Sequence, residues 1–402
     1  MSLNFGRSLM AIPGPSVIPE RVLNAMHRPS PNIYEGALID LTASLYPDLK
    51  TVAQTKGEAA IYIANGHGGW EAALRNVLKA GDKVLVLATG RFGLGWGEMA
   101  DSLGVKCQVL DFGMSSDHDL RAVSEALNAD KEGVIKAVLC VQVDTASSIH
   151  NDIPALRAAI TAADHEALLM VDCIASIGCD RFEMDAWGVD VMVTACQKGL
   201  MTPAGLAFVF FNDKAKEARK LCGPGEYWDW KTRVDGKVYY QQFCGTAPTH
   251  HLYGLREALD MLVYEEGIER AWARHETIAN AIWAAIDAWG NAPDAHFKHN
   301  VTDPKKRSHA VSAIETGFGE ATRIRQWSEH HAGVTLGIGL GFGLPGTAGW
   351  DNHFRIGHMG HQNLPMVMGA LGAIDAAMKA EKITHGSGAL EAASRVLAQH
   401  SA

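Results

Sequence analysis

The 402-residue sequence predicts an α/β fold with a mainly parallel sheet in a large first unit, followed by a smaller α/β unit. Three observations carry this. Between Ala59 and Phe211, short apolar runs of strand length alternate with amphipathic helical stretches; runs apolar on both faces belong to strands covered by helices on both sides. From Tyr253 to Gly290 the apolar spacing turns helical, with Leu255, Ala258, Leu259, Leu262 and Val263 on one stripe. Several apolar runs also end on a polar or charged residue, and in open α/β sheets ligands gather beyond the carboxyl ends of the strands.

Taken in order, the first strand run with a clear boundary is Lys83–Leu87, which follows a helix pattern, Trp70–Leu78, and the turn Lys79-Ala80-Gly81. Lys136–Val141, Ala167–Val171, Asp190–Thr194 and Leu206–Phe211 follow as strands. The helical stretch from Tyr253 is expected to be one long segment linking to a second domain over roughly residues 270–402. Residues 333–349 are glycine-rich, and no internal repeat is present.

Composition narrows the function classes. The chain is 47% hydrophobic and 20% charged, the profile of a soluble globular enzyme. Its formal charge of -9, from 36 basic and 45 acidic side chains with no basic run, argues against nucleic acid or an anionic membrane as the main partner. The seven cysteines, Cys107, Cys140, Cys173, Cys179, Cys196, Cys222 and Cys244, are odd in number and scattered through apolar runs, so reduced thiols are expected rather than a disulfide framework. The stretch MSLNFGRSLMAIPGP lacks the apolar core of a signal peptide and no run is apolar enough to span a membrane, so a cytoplasmic setting is expected.

Four places carry groups that could do chemistry. Asn65–Gly69 precedes the helix pattern, and a glycine-rich turn feeding a helix offers free backbone N–H groups to a phosphate; a plain turn is the alternative. Asp172 closes the run ALLMVD, where a carboxylate must be paired or solvated, as a ligand contact or a helix cap. Lys198 follows the interior run ending at Cys196; beside an apolar wall its pKa falls and the neutral amine becomes available for a Schiff base, the alternative being an exposed strand-end lysine. Arg355, in HFRIGHMG, has a planar fork that matches a carboxylate, or a structural salt bridge. A single ligand meeting all four needs a phosphate, a ring nitrogen that wants an anion, an aldehyde and a carboxylate-bearing partner. Pyridoxal phosphate with an amino or oxo acid has them.

The motifs PGPS (Pro13–Ser16), GHGGWEAA (Gly66–Ala73), Val171-Asp172 with Ala175-Ser176-Ile177, QKG (Gln197–Gly199), YWDW (Tyr227–Trp230), LYGLREA (Leu252–Ala258) and FRIG (Phe354–Gly357) span nearly the whole chain. In them the chain resembles the class V aminotransferases of pyridoxal phosphate fold type I, in the alanine/serine-glyoxylate group. YWDW and LYGLR lean toward the serine-glyoxylate branch. The resemblance implies an N-terminal segment over 1–20, a large cofactor-binding domain over 21–268 and a small domain over 269–402. It implies that Lys198 holds pyridoxal 5'-phosphate as a Schiff base and shuttles the proton, that Asp172 keeps the pyridine nitrogen protonated, and that Phe92 stacks on the ring. By the same carry-over Thr145 donates to the phenolic oxygen, and Gly66, His67 and Gln197 hold the phosphate, with Thr246 reaching in from the partner of a homodimer. Arg355 clamps the substrate carboxylate, and backbone near Pro15 and Ser16 closes over it. For Phe92 a core position and for His67 a turn position are the alternatives.

The chain departs from this group at Asp144–Ser148, DTASS, where the group resembles Glu-Thr-Ser-Thr-Gly. The Asp144-Thr145 pair and the RIGHMG element also resemble pyridoxamine-pyruvate aminotransferase, a rival within the fold. A ping-pong transfer from serine or alanine to glyoxylate is the expected activity. The different-class rival is a carbon-sulfur lyase or desulfurase, for which Cys222, before Gly223-Pro224-Gly225, is the cysteine to test; a non-enzymatic pyridoxal phosphate sensor is a weaker one. Two decoys are set aside. Gly341–Gly346 spells G-x-G-x-x-G but contains a proline and is not expected to open a helix, so a loop over the substrate site is expected. The pairs His250-His251 and His330-His331 lack zinc-site spacing.

Overall fold

The computed structural model describes residues 3–399. Its centre is a seven-stranded sheet made of β2 (Glu58–Ala64), β3 (Lys83–Ala88), β4 (Lys106–Asp111), β5 (Ile135–Val141), β6 (Leu168–Asp172), β7 (Val191–Ala195) and β8 (Gly205–Phe211). Across the sheet the order is β2-β8-β7-β6-β5-β3-β4. Every neighbouring pair is parallel except the two that involve β8, which runs against both β2 and β7. The expected strands are therefore present, shifted by a residue or so. Two that the apolar runs did not single out, β2 and β4, add the edges.

β6 and β7 are buried at every position, which is why their sequences show no alternation. One apolar cluster packs Leu169, Val171, Met192, Phe208 and Phe210 against one face of the sheet, and another packs Met170, Val191, Val193, Ala207 and Val209 against the other. Each such valine or leucine contributes roughly 1.5–3 kcal/mol by leaving water. β4 differs: none of its six residues is fully buried, as expected of an edge strand.

The parallel arrangement brings the carboxyl ends of β2, β3, β5, β6 and β7 to one edge, where the antiparallel β8 begins. Helix α1 (Gly66–Val77) starts directly after β2, and α2 (Arg91–Ser102) directly after β3.

The long helix expected from Tyr253 to Gly290 is instead two. Helix α3 (Thr249–Leu259) passes into a π-helical turn, Asp260–Glu266, and α4 (Ile268–Gly290) starts anew. Gly267 between them has φ 85°, a left-handed conformation that a side-chain-bearing residue adopts only with strain, so helical periodicity continues through a point where the backbone cannot. The C-terminal part holds a three-stranded antiparallel sheet, β9 (Lys298–His299), β10 (Val311–Glu315) and β12 (His353–Gly357), in that order. A strand near the N-terminus, β1 (Leu9–Ala11), pairs in parallel with β11 (Val334–Leu336). These elements share an apolar cluster that includes Ala11, Ile282, Trp289, Ile314, Phe354 and Leu371. Among the described residues, no helix is long and apolar enough to cross a membrane.

Candidate active site

A cleft of about 250 Å³ opens where the strand ends meet. Pro15, Gly66, His67, Phe92, Thr145, Asp172, Gln197 and Lys198 all line it. A roomier groove of about 1060 Å³, lined by His150, Trp272, Trp283 and Arg307 among others, contains none of them. Chemistry rather than size therefore locates the site.

Its first wall is the start of α1. The helix begins at Gly66, earlier than its apolar pattern indicates, so the glycines form its first turn rather than a loop before it. Asn65 caps it, its side chain accepting from Gly68 N at 3.3 Å, and Gly69 N bonds to Asn65 O at 3.1 Å. The N–H groups of Gly66 and His67 come before the first intrahelical bond and lie at the positive end of the helix dipole. Gln197 brings an amide whose Oε1 is buried with no hydrogen-bond partner among the described residues. Gln197 also lines the cleft, and its amide NH₂ can donate to an anion. These groups fit a phosphate.

Asp172, the last residue of β6, is 2% exposed. One oxygen accepts from Ile174 N at 2.6 Å and the other from the Trp70 indole Nε1 at 2.8 Å. Burial pushes its pKa up to about 7 against the pull of these two donors. A carboxylate so placed is poised for a cationic partner, such as a protonated ring nitrogen.

Lys198 lies just past the end of β7. Its ammonium nitrogen donates to Pro13 O, and the Ser16 hydroxyl donates to Lys198 O at 2.7 Å while Ser16 N bonds to Gln197 O at 2.9 Å. The N-terminal segment thus straps the lysine into the cleft. Burial first, and the Arg355 guanidinium second, lower the amine's pKa to about 8. At that value a useful fraction is the neutral nucleophile near pH 7.

Three predicted residues do not line the cleft. Ser16 acts as the tether just described. Arg355, in β12, is 5% exposed and donates from Nε to Ile338 O at 2.8 Å and from Nη1 to Thr145 O at 2.7 Å. Burial lowers its pKa to about 10, and among the described residues Nη2 has no hydrogen-bond partner. Thr246 is exposed, after a short 3₁₀ turn, and does not reach this chain's own cleft. Cys222 sits outside as well, 3.5 Å from Ala218 O, and no cysteine lines the cleft.

Two residues matter more than the sequence patterns indicate. Trp70 holds Asp172, and its only earlier signal is its place in the GHGGWEAA motif. Asp144, visible only as a departure, is fully buried and accepts from Phe92 N at 2.7 Å, Gly93 N at 3.1 Å and Ala146 N at 2.9 Å. The G-x-G-x-x-G stretch is a loop, as expected, but a four-residue helix, Ala348–Asp351, follows it where none was anticipated. His250 and His251 bond to the backbone carbonyls of Arg28 and Ala204.

Comparison with known proteins agrees with this chemistry. Residues 48–332 match the model of a family described as aminotransferase class-V. The chain is 38% identical over 400 residues to a serine-glyoxylate aminotransferase of Methylorubrum extorquens, covering 97% of this chain and 96% of that one. It is 34% identical over 402 residues to a serine-glyoxylate aminotransferase of Arabidopsis thaliana, covering 98% and 96%. The crystal structure of pyridoxamine-pyruvate aminotransferase from Mesorhizobium loti superposes with a TM-score of 0.86 at 25% identity, covering all of both chains. The fold is that of the fold type I enzymes, the cofactor is pyridoxal phosphate, and the chain belongs to the class V aminotransferase family.

Proposed function

We propose that this enzyme moves the amino group of serine, with alanine as the second choice, to glyoxylate, in a ping-pong sequence in which the donor leaves as its oxo acid before the acceptor enters. The observation that carries this assignment is 38% identity, along nearly the full length, to an enzyme named for that reaction. Pyridoxal phosphate, when bound, supplies an aldehyde that condenses with amines and a ring that accepts the electrons of a bond broken at the donor's α-carbon.

The chain's own groups do the rest. Gly66 and His67 N–H and the Gln197 amide bind the phosphate, and Phe92 covers the ring. The Asp172 carboxylate holds the proton on the ring nitrogen, and the Thr145 hydroxyl donates to the phenolic oxygen. Lys198 Nζ binds the cofactor and carries the proton that leaves the donor's α-carbon. Arg355 Nη2 takes the substrate carboxylate while Nε and Nη1 stay fixed on backbone carbonyls, and Pro15 and Ser16 keep the N-terminal strap across the opening. Thr246, exposed in its own chain, reaches the phosphate of a second copy, which makes the working unit a homodimer. The unit boundaries at residues 20 and 268 and a cytoplasmic setting belong to the same reading.

A half-reaction screen tests it: holoenzyme is given one amino acid at a time with no acceptor, and the absorbance of the bound cofactor is followed. Serine or alanine is expected to convert it to the amine form and glyoxylate to reverse it. Lys198→Ala that retained multiple-turnover transamination would sink the mechanism. A second reading is favoured by full-length superposition on the pyridoxamine-pyruvate enzyme. Turnover of free pyridoxamine with pyruvate, with serine and alanine inert, would select it.

A further inference from the structure

We propose that Trp70 is a positioning residue for the reaction: its indole N–H fixes one oxygen of the Asp172 carboxylate and keeps that carboxylate an anion facing the cofactor. The inference rests on the reading that Asp172 pairs with the cofactor's ring nitrogen.

The hydrogen-bond inventory around Asp172 carries the argument. Its oxygens meet Ile174 N at 2.6 Å and Trp70 Nε1 at 2.8 Å, and both partners are donors with nothing to accept with. Both donors favour the ionised carboxylate and oppose the burial that raises its pKa, so the balance tips to the anion once a cationic partner faces it. Each oxygen keeps a further lone pair, and Asp172 lines the cleft.

Trp70 is in turn held so that its single N–H has one direction available. It is 1% exposed, stacks on Trp96 with ring centroids 5.9 Å apart and planes at 18°, and meets Phe92 edge-on at 6.3 Å. It also sits in α1, one turn beyond Gly66 and His67. One helix therefore carries both the N–H groups that fit a phosphate and the donor that orients the ring-nitrogen partner, so it spaces the two ends of the cofactor site as one rigid piece. The titratable groups that face Asp172 are Asp144, Lys198, Cys140 and Cys173, and none of them replaces the indole as a donor to Oδ2.

The test compares wild type, Trp70→Phe and Asp172→Asn, each loaded either with pyridoxal phosphate or with its 1-deaza analogue, whose ring has carbon in place of nitrogen. Cofactor dissociation constants, the pH titration of bound-cofactor absorbance and the half-reaction rate with the donor are measured. With the natural cofactor, Trp70→Phe is expected to weaken binding and slow the half-reaction by about tenfold to a hundredfold, the worth of one hydrogen bond to a charged group, and to shift the absorbance titration. With the deaza analogue its rate is expected to equal that of wild type. Equal losses with both cofactors would mean a packing role only and overturn the inference. So would a Trp70→Phe enzyme identical to wild type while Asp172→Asn is impaired. If Asp172→Asn itself behaved as wild type, the reading beneath would fail and the inference with it. Should Trp70→Phe not fold, site-specific benzothienylalanine, which keeps the indole outline with sulfur in place of N–H, reads out the same comparison.

Discussion

The Asp144 carboxylate lies 2.7 Å from the backbone nitrogen of Phe92, so a residue at the end of one strand connection caps the helix that follows another. The same oxygen takes Gly93 N at 3.1 Å, and a Cβ on Gly90 would lie 2.3 Å from the carboxylate carbon. The start of α2 is thus built around that carboxylate, and Phe92 enters the cleft from it. Asp144→Ala leaves three N–H groups, two of them buried, without a partner and should destabilise the protein by about 2–4 kcal/mol. Gly90→Ala should do comparable damage by expelling the carboxylate. Urea melts check stability, and titration with pyridoxal phosphate should show weaker binding for both variants. Normal cofactor affinity in Asp144→Ala would overturn the link to Phe92.

Much of this site is legible in the sequence because its parts fall at strand ends. Uninterrupted apolar runs mark β5, β6, β7 and β8, and the first polar residues beyond them include Asp172 and Lys198. Strand order and the reversed direction of β8 are not legible, since both are set by which faces pack together and not by any local period. β4 is missed because an edge strand leaves none of its residues buried and so shows no continuous apolar run. The α3–α4 break is missed because one glycine at φ 85° interrupts a helix without altering its apolar stripe. Trp70 appears in the sequence only within a helix pattern and the GHGGWEAA motif, and its bond to Asp172 is seen only in the fold. Asp144 reads as a substitution until the amides it caps, which come from a distant part of the chain, are seen together.

The loss of glycine at the end of the DTASS stretch has a structural consequence. Ser148 sits at φ 64°, its N–H bonded to Asp144 O at 2.8 Å and its carbonyl to Ser308 N at 3.1 Å. The turn still demands a left-handed residue, and serine occupies it with strain. Ser148→Gly should raise stability by about 0.5–1 kcal/mol, the relief of strain outweighing the added chain entropy, with donor preference unchanged. Ser148→Val should be destabilising, because a β-branched residue resists this conformation most. Paired denaturant melts decide the matter, and a Ser148→Gly protein less stable than wild type would overturn it.

The lowered pKa of Lys198 predicts how cofactor attachment depends on pH. Below about 8 the amine is mainly protonated and unreactive, and above it neutral. The rate at which apoenzyme takes up pyridoxal phosphate covalently should rise roughly tenfold per pH unit on the acid side and level off near that value. Arg355 is the second cause of the lowering, so in Arg355→Leu the plateau should move to higher pH, toward ordinary lysine. Rapid-mixing absorbance measures this, and an unchanged plateau would exclude the charge coupling between the two residues. The same variant should bind the donor more weakly.

Asp172 predicts a stability slope in the cofactor-free protein. Its pKa is raised from 3.8 to about 7, so between those values the folded chain keeps a proton that the unfolded chain has released. Stability from this group is therefore present at low pH and lost as pH rises through that window, by up to about 4 kcal/mol in total. Asp172→Asn cannot ionise and lacks the slope. Its own hydrogen-bonding conflict, an amide NH₂ set against the donors Ile174 N and Trp70 Nε1, adds an offset that does not vary with pH. The stability of Asp172→Asn minus that of wild type should thus grow steadily from pH 4 to 7 in the apo form, whatever its starting value. Saturating pyridoxal phosphate should flatten or reverse the trend, because a cationic ring nitrogen stabilises the ionised carboxylate only in wild type. Thermal melts across that pH range, with and without cofactor, provide both curves. An apo difference that stayed flat would show that Asp172 is already ionised in the empty cleft, with the Ile174 and Trp70 donors alone outweighing its burial.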